Sequence, residues 1–367
     1  MVKLTIIGQF FGTSGYANHT RQLANALSKY HDLKIFTQLF QGWELQCTDN
    51  ELKMINKQDP LDSINLIIDL PHNWSQFLNK KKNIGFLVYE GDRIPKSWIK
   101  NIIDERVSQV WVPSTHVYNA IKQTFEDGWD FYKNKIKIVP HGYDPELFYP
   151  KPKTNKINQI IFFCNKGFRH ERDRGGVQYA IKAFLKEFNK DEAKLLVKIN
   201  PAYGLSLEYL QLIINKYILE SGKNISDLPE IMFNSDNLLY SELINLYNET
   251  DIFLNPTEGE AFSLPCLEAM ACGKPVITTN FGGQIDYVNS NNGWLVDYEL
   301  HEIHHEIIYE GINWGRPIES DLRKKMREAY ETIKSGKEMP ISPLMSSKPY
   351  TWDNSALKAS GFLEELN

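Results

Sequence analysis

Short apolar runs, each closed by a turn bearing glycine, proline or an acid, recur along the whole chain. In the first part they fall at 2–7, 33–37, 64–70, 83–89, 109–114 and 136–140, and in the second at 160–165, 194–199, 231–233, 251–254, 274–279 and 293–297. Runs this short and this continuously apolar read as strands buried on both faces. Helical patterns alternate with them at 16–30, where Leu23, Ala24, Ala26 and Leu27 make the apolar face, around 95–107, and at 177–188, 207–220, 240–247 and 264–272, with a last helix at 353–366. Strands alternating with helices predict an α/β chain of doubly wound parallel sheets, whose ligands sit beyond the carboxyl ends of the strands. The Pro- and Gly-bearing connector 141–150 divides a first domain, 1–150, from a second, 151–348, and 349–367 carries the closing helix. The Pro- and Ser-rich stretch 336–348 reads as irregular.

The stretch 255–297 holds the most pointed chemistry. A strand, 251–254, leads into a loop rich in glycine and acids, and a helix follows at 264–272 with Pro265 in its first turn and Gly273 as its C-cap. A helix start presents unbonded N–H groups and the positive end of a dipole, so it favours an anion such as phosphate. Glu260 lies just before the helix and Glu268 eight residues later. Eight helical residues are a little over two turns, which puts Glu268 on the face of the segment's start. A carboxylate there can accept both hydroxyls of a vicinal diol such as a ribose.

Other loops at strand ends add candidates. The loop 166–176 sets Lys166, Arg169 and Arg174 beside glycines ahead of a helix, a reasonable diphosphate clamp because guanidinium groups bond phosphate oxygens in pairs. The loop after the first strand holds Gly12 and Gly15 but does not spell G-x-G-x-x-G, so it supports no dinucleotide fingerprint, and Gly15 by itself reads as a residue that permits a tight turn. Glu90 ends the strand 83–89, and Ser235 lies in the loop 234–237. The string His301-Glu302-Ile303-His304-His305 matches H-E-x-x-H, but with no obvious third ligand it reads as a charged, solvent-facing helix rather than a zinc site.

Composition narrows the classes. The 367 residues fit two or three domains, and 42% apolar with 24% charged residues is ordinary for a soluble globular chain. A net charge of −5 provides no general basic field for nucleic acid. Cys47, Cys164, Cys266 and Cys272 form no C-x-x-C pair and read as buried thiols of a reducing compartment. Met1 leads at once into a strand, which leaves no room for a signal peptide, and no apolar run is long enough to span a bilayer. The expectation is a cytoplasmic protein, with peripheral membrane association left open and the oligomeric state unspecified.

The string N-P-T-E-G-E-A-F-S-L-P-C-L-E-A-M-A-C-G-K-P-V-I closely resembles the Glu-x7-Glu signature of the retaining family 4 glycosyltransferases, P-S-x-x-E-G-F-G-L-P-x-L-E-A-M-A-x-G-x-P-V-I. Pro256, Glu260, Phe262, Leu264, Pro265, Glu268 and Gly273 fall in register, while Ala261 and Ser263 replace the usual glycines. The connector I-V-P-H-G-Y-D-P-E-L-F-Y-P is similar to that family's P-x-G-V-D-x-x-x-F-x-P, and Glu90 stands where many relatives carry histidine. The resemblance implies a GT-B fold, two Rossmann-like doubly wound domains facing across a cleft, closing on hinges near 141–150 and before Trp352. It implies a hexosyltransferase that moves a sugar from a nucleotide-diphosphate sugar, UDP- or GDP-linked, to a hydroxyl of a glycan or other acceptor. Catalytic roles would fall to Glu260, Glu90 and Arg174. The sugar nucleotide would be held by Gly15, Lys166, Arg169, Arg174, Ser235, Ala261, Phe262, Ser263, Leu264 and Glu268. Arg169 fits the family's arginine position and Lys166 competes for it. No metal and no cofactor are expected. A GT-B epimerase or phosphorylase, and a binding protein without turnover, are the competing readings.

Overall fold

A computed structural model describes residues 1–12, 14–37, 47–60, 62–125, 128–199, 207–236, 238–304 and 307–366, with the Leu207 side chain left aside. The chain forms two compact units. The first comprises Met1–Gly142, Glu302–Asn313 and Tyr350–Asn367, and the second Tyr143–His301 and Trp314–Pro349.

The first unit is built on a six-stranded sheet of β1 (Lys3–Gly8), β2 (Asp32–Phe36), β3 (Ile64–Ile68), β4 (Asn83–Phe86), β5 (Val107–Val112) and β6 (Ile136–Ile138), in the order β2-β1-β3-β4-β5-β6. Every neighbouring pair is parallel. The central β3, I-N-L-I-I, is buried along its whole length, as a strand covered on both faces must be. Helix Gly15–Leu27 follows β1. Ser14 caps it by accepting the Ala17 N–H, and Ala17, Leu23, Ala24, Ala26 and Leu27 are buried. The closing helix Trp352–Glu364 belongs to this unit, with Lys29 paired to Asp353 at 2.6 Å and His31 bonded to Ser360 at 2.7 Å.

The second unit repeats the plan with β7 (Ile160–Lys166), β8 (Ala193–Ile199), β9 (Glu230–Asn234), β10 (Ile252–Asn255), β11 (Val276–Thr279) and β12 (Gly293–Val296), in the order β12-β11-β10-β7-β8-β9, again all parallel. Its core joins Phe162, Phe184, Phe188, Leu195, Val197 and Leu254 to Leu322, Met326 and Tyr330. A further strand pair, β13 (Tyr298–Glu302) and β14 (Asn313–Pro317), stands apart from both sheets.

Three expectations are corrected. The helix read at 95–107 is a short 3-10 turn, Lys96–Trp98, followed by one helical turn, Ile99–Ile102. Asp104 then accepts the Arg106 N–H at 2.9 Å, and β5 starts at Val107. The stretch 301–305 is not a helix: His301 and Glu302 end β13, and His305 lies outside the described residues. The tail 336–348 contains a short helix, Pro343–Ser347, opened by its own proline. Several helices escaped the sequence reading, among them Asp49–Asn56, Thr115–Phe125 and, the longest, Glu319–Lys334. The last buries Leu322, Met326, Ala329 and Tyr330, a regular stripe within a highly charged run.

Strand order places the site. From β7 the chain builds outward to β8 and β9, then returns to β7's other side with β10. The loops leaving β7 and β10 therefore diverge at the switch point, where open α/β sheets bind ligands. They are the two loops 167–176 and 256–263.

Candidate active site

Lys166 is the last residue of β7 and is almost fully buried. Its Nζ lies 2.5 Å from Glu260 Oε1 and 3.4 Å from Ser263 Oγ. The Arg174 guanidinium donates to the Gly259 carbonyl at 2.9 Å and lies 3.9 Å from Glu260 Oε2. The Arg174 carbonyl accepts the Glu258 N–H at 2.8 Å and the Thr257 hydroxyl at 2.9 Å. Burial pushes the Glu260 carboxyl up, but Lys166 and Arg174 outweigh it and hold the group below the ordinary range. Two cations and one anion thus share a corner in which Lys166 is buried and Arg174 and Glu260 are partly exposed.

The backbone of this corner is tightly specified. Gly176 has φ +83°, and a Cβ on it would stand 2.0 Å from the Pro256 carbonyl oxygen, so the two loops approach as only glycine permits. Helix Val177–Glu187 begins immediately after it, and helix Leu264–Ala271 begins after Ser263. Both helix starts turn their unbonded amides toward the loops. The Tyr287 hydroxyl lies 2.8 Å from the Phe262 carbonyl and 2.7 Å from that of Ser263, which fixes the entry to the second helix.

Ser263 sits at φ +66°, in the left-handed region, where the family signature carries glycine. A serine there is strained by about 1–2 kcal/mol, while glycine costs about 0.5–1 kcal/mol more unfolded-chain entropy. Ser263→Gly is therefore expected to stabilise the protein by about 0.5–1 kcal/mol, a rise in Tm of about 1–4 °C by calorimetry. A lower Tm would show that the Ser263 hydroxyl contributes more than the strain removes.

Glu268 points elsewhere from the same helix. It is buried, and its Oε2 accepts the Tyr247 hydroxyl at 2.8 Å; that hydroxyl lies 3.3 Å from Asn165 Nδ2. Burial pushes the Glu268 carboxyl up to about 7, against the smaller opposing effects of Tyr247 and Lys166. Successive strand residues face opposite ways, so the end of β7 serves both glutamates: Lys166 bonds Glu260, and Asn165 reaches Glu268 through Tyr247.

The sequence-predicted residues separate accordingly. Lys166, Arg174, Glu260 and Ser263 come together, Ala261 and Phe262 are buried in the same loop, and Leu264 opens the helix. Glu268 lies four residues into that helix. Arg169 is exposed, with its N–H bonded to Asp173 Oδ2 at 3.0 Å, and Ser235 is exposed past the end of β9. Gly15 opens the first unit's helix, and a Cβ there would meet nothing within 4 Å. Asn165, Tyr247, Thr257 and Tyr287 were not foreseen. Asn165 had the signal of strand alternation beside Lys166; Tyr247 and Tyr287 had none.

Glu90 is a separate matter, within the first unit. Its carboxylate accepts the Tyr309 hydroxyl, and its carbonyl lies 3.0 Å from His116 Nε2. Tyr309 stacks on Tyr89 with centroids 5.0 Å apart, and the Tyr89 hydroxyl donates to the Ile308 carbonyl at 2.8 Å. Among the described residues no His, Cys, Asp or Glu cluster could hold a metal ion, and no helix is long and apolar enough to cross a membrane.

Residues 230–329 match the family model described as "Glycosyl transferases group 1". A probable sucrose-phosphate synthase of Thermosipho melanesiensis is 24% identical over 64% of this chain and 48% of its own length. The capsular polysaccharide biosynthesis glycosyltransferase CapM of Staphylococcus aureus is 36% identical over 45% of this chain and 43% of its own. The chain spans about half the length of the curated relatives it matches. Among solved structures, the sucrose-phosphate synthase of Thermosynechococcus elongatus superposes with a TM-score of 0.68 at 15% identity, over 100% of this chain and 99% of that one. Anabaena Alr3699/HepE in complex with UDP and glucose superposes with a TM-score of 0.67 at 13% identity, over the full length of both.

Proposed function

We propose that this chain, whose residues 230–329 match the family model of the group 1 glycosyl transferases on a GT-B fold, transfers a sugar from a nucleotide-diphosphate sugar to an acceptor hydroxyl with retention of configuration. The observation that carries the reading is the pairing of Lys166 and Arg174 around Glu260 beside two helix starts, at the switch point of the second sheet. Phosphate oxygens suit that set of charges and amides. As the bond from the anomeric carbon to the β-phosphate oxygen breaks, its electron pair leaves with the nucleoside diphosphate, and the two cations and the amides stabilise the charge that grows there. The acceptor oxygen bonds to the anomeric carbon, and its proton goes to the departing phosphate. Glu260 faces the sugar hydroxyls and Glu268 the ribose diol. A uridine donor is the first to test, because HepE was solved with UDP-glucose.

Calorimetry against UDP-, GDP- and ADP-sugars in EDTA, followed by product analysis with acceptors, tests this. One class should bind without metal. Arg174→Ala should weaken the preferred nucleoside diphosphate by about 10- to 100-fold, the range of a lost charge-assisted bond, and leave the nucleoside unchanged. Equal losses for both would remove Arg174 from the diphosphate, and donor turnover without an acceptor product would favour an epimerase or phosphorylase.

A further inference from the structure

We propose that Glu258 is a positioning residue for the diphosphate end of this site, acting through Arg174 and Glu260 rather than on the substrate. The inference rests on the reading of the site as a sugar-nucleotide pocket. Glu258 is 2% exposed, and three groups from three different elements converge on its carboxylate. The Tyr179 hydroxyl, from helix Val177–Glu187, donates to Oε1; Arg316 Nε, from β14, lies 3.3 Å from the same oxygen; His301 Nε2, from β13, lies 3.2 Å from Oε2. Burial pushes the carboxyl up, yet His301, Tyr179 and Arg316 together hold it below the ordinary range, so it stays an anion.

The main chain of Glu258 transmits that grip. Its N–H donates to the Arg174 carbonyl at 2.8 Å, and its carbonyl accepts the Gly315 N–H at 2.8 Å. The next residue's carbonyl, Gly259, receives the Arg174 guanidinium at 2.9 Å, and the residue after that is Glu260. Arg174 is thus bonded at backbone and side chain to two consecutive residues whose place is set by one buried carboxylate. Catalytic groups tolerate little displacement: about 1 Å can cost on the order of 10²-fold in rate. This role also accounts for the H-E-x-x-H string. Its first histidine braces the glycosyltransferase signature loop.

The test uses the nucleoside diphosphate that the wild type binds most tightly among UDP, GDP and ADP, against its own nucleoside. In Glu258→Gln we expect diphosphate affinity to fall at least tenfold, nucleoside affinity to stay within twofold, and kcat to fall with it. His301→Gln, which removes one brace and keeps the carboxylate, should give a smaller loss with the same selectivity and guards against misfolding of the first variant. Should either folded variant keep the wild-type ratio of diphosphate to nucleoside affinity, the positioning role is overturned. A wild type that binds none of the three diphosphates would instead overturn the pocket itself.

Discussion

Lys166→Met is expected to lower kcat/KM for the sugar donor by about 10²–10³-fold, the scale of losing one preorganised charge at a developing anion. The ammonium group lies 2.5 Å from Glu260 in a buried corner, so its removal acts twice. It deprives the leaving diphosphate of a cation, and it strands a largely covered carboxylate, 15% exposed. Breaking a buried pair from one side typically costs about 3–5 kcal/mol, unless the remaining group takes up a proton. Glu260 has a depressed pKa in the intact protein, so its contribution to stability is present above the unfolded value and fades as pH falls through the folded one. The variant reverses the sign: with its main cation gone, Glu260 is destabilising at pH 8 and is relieved on acidification as it protonates. Melting curves at pH 5 and pH 8 should show a Tm deficit confined to the higher pH, while the rate deficit persists at both. Lys166→Met with Glu260→Gln should recover the Tm and none of the activity. A kcat/KM within threefold of wild type would end the assignment of Lys166 to the leaving group.

Much of this corner could be read from the sequence because its parts are local. The strand–helix alternation gave both sheets, and Gly273, at φ +77°, ends the helix that begins at Leu264, as its position after the apolar run implied. Glu260 and Glu268 do not share one helical face as their spacing implied: Glu260 lies in the loop before the helix and is turned by Lys166, while Glu268 sits within the helix against Tyr247. What stayed hidden depends on residues distant in the chain. Tyr247 stands 21 positions from Glu268, and Tyr287 24 from the Ser263 carbonyl that it reaches. Sequence spacing has no access to either contact. His301 was misassigned for a different reason. Its histidines and glutamates have no strong strand preference, and only the pairing of β13 with β14 makes them a strand. The helix Glu319–Lys334 was missed although Leu322, Met326, Ala329 and Tyr330 keep helical spacing, because its charged residues outnumber them.

Glu268→Gln should separate affinity from stability in opposite directions. Burial holds the Glu268 carboxyl at about 7, well above its ordinary value of 4.5. A raised carboxyl favours the fold fully below its unfolded pKa, and that support is lost as pH climbs through the folded pKa. The interval corresponds to about 3–4 kcal/mol at most, since one unit is about 1.4 kcal/mol. Glutamine cannot ionise, and its oxygen can still accept the Tyr247 hydroxyl. The empty variant should therefore melt above the wild type at pH 8, by up to about 5–10 °C, and together with it at pH 4.5. Binding should move the other way. A ribose diol needs an acceptor for both hydroxyls, and the amide offers only one oxygen, so sugar-donor affinity should drop about 10- to 100-fold. In the wild type the diol favours the ionised form and lowers the folded pKa. Calorimetry at pH 6.5 in buffers of different ionisation enthalpy should then show a proton released on binding, and none from the glutamine variant. Equal Tm values at pH 8 would mean that Glu268 is not held protonated by burial. Undiminished affinity would mean that it does not hold the sugar nucleotide.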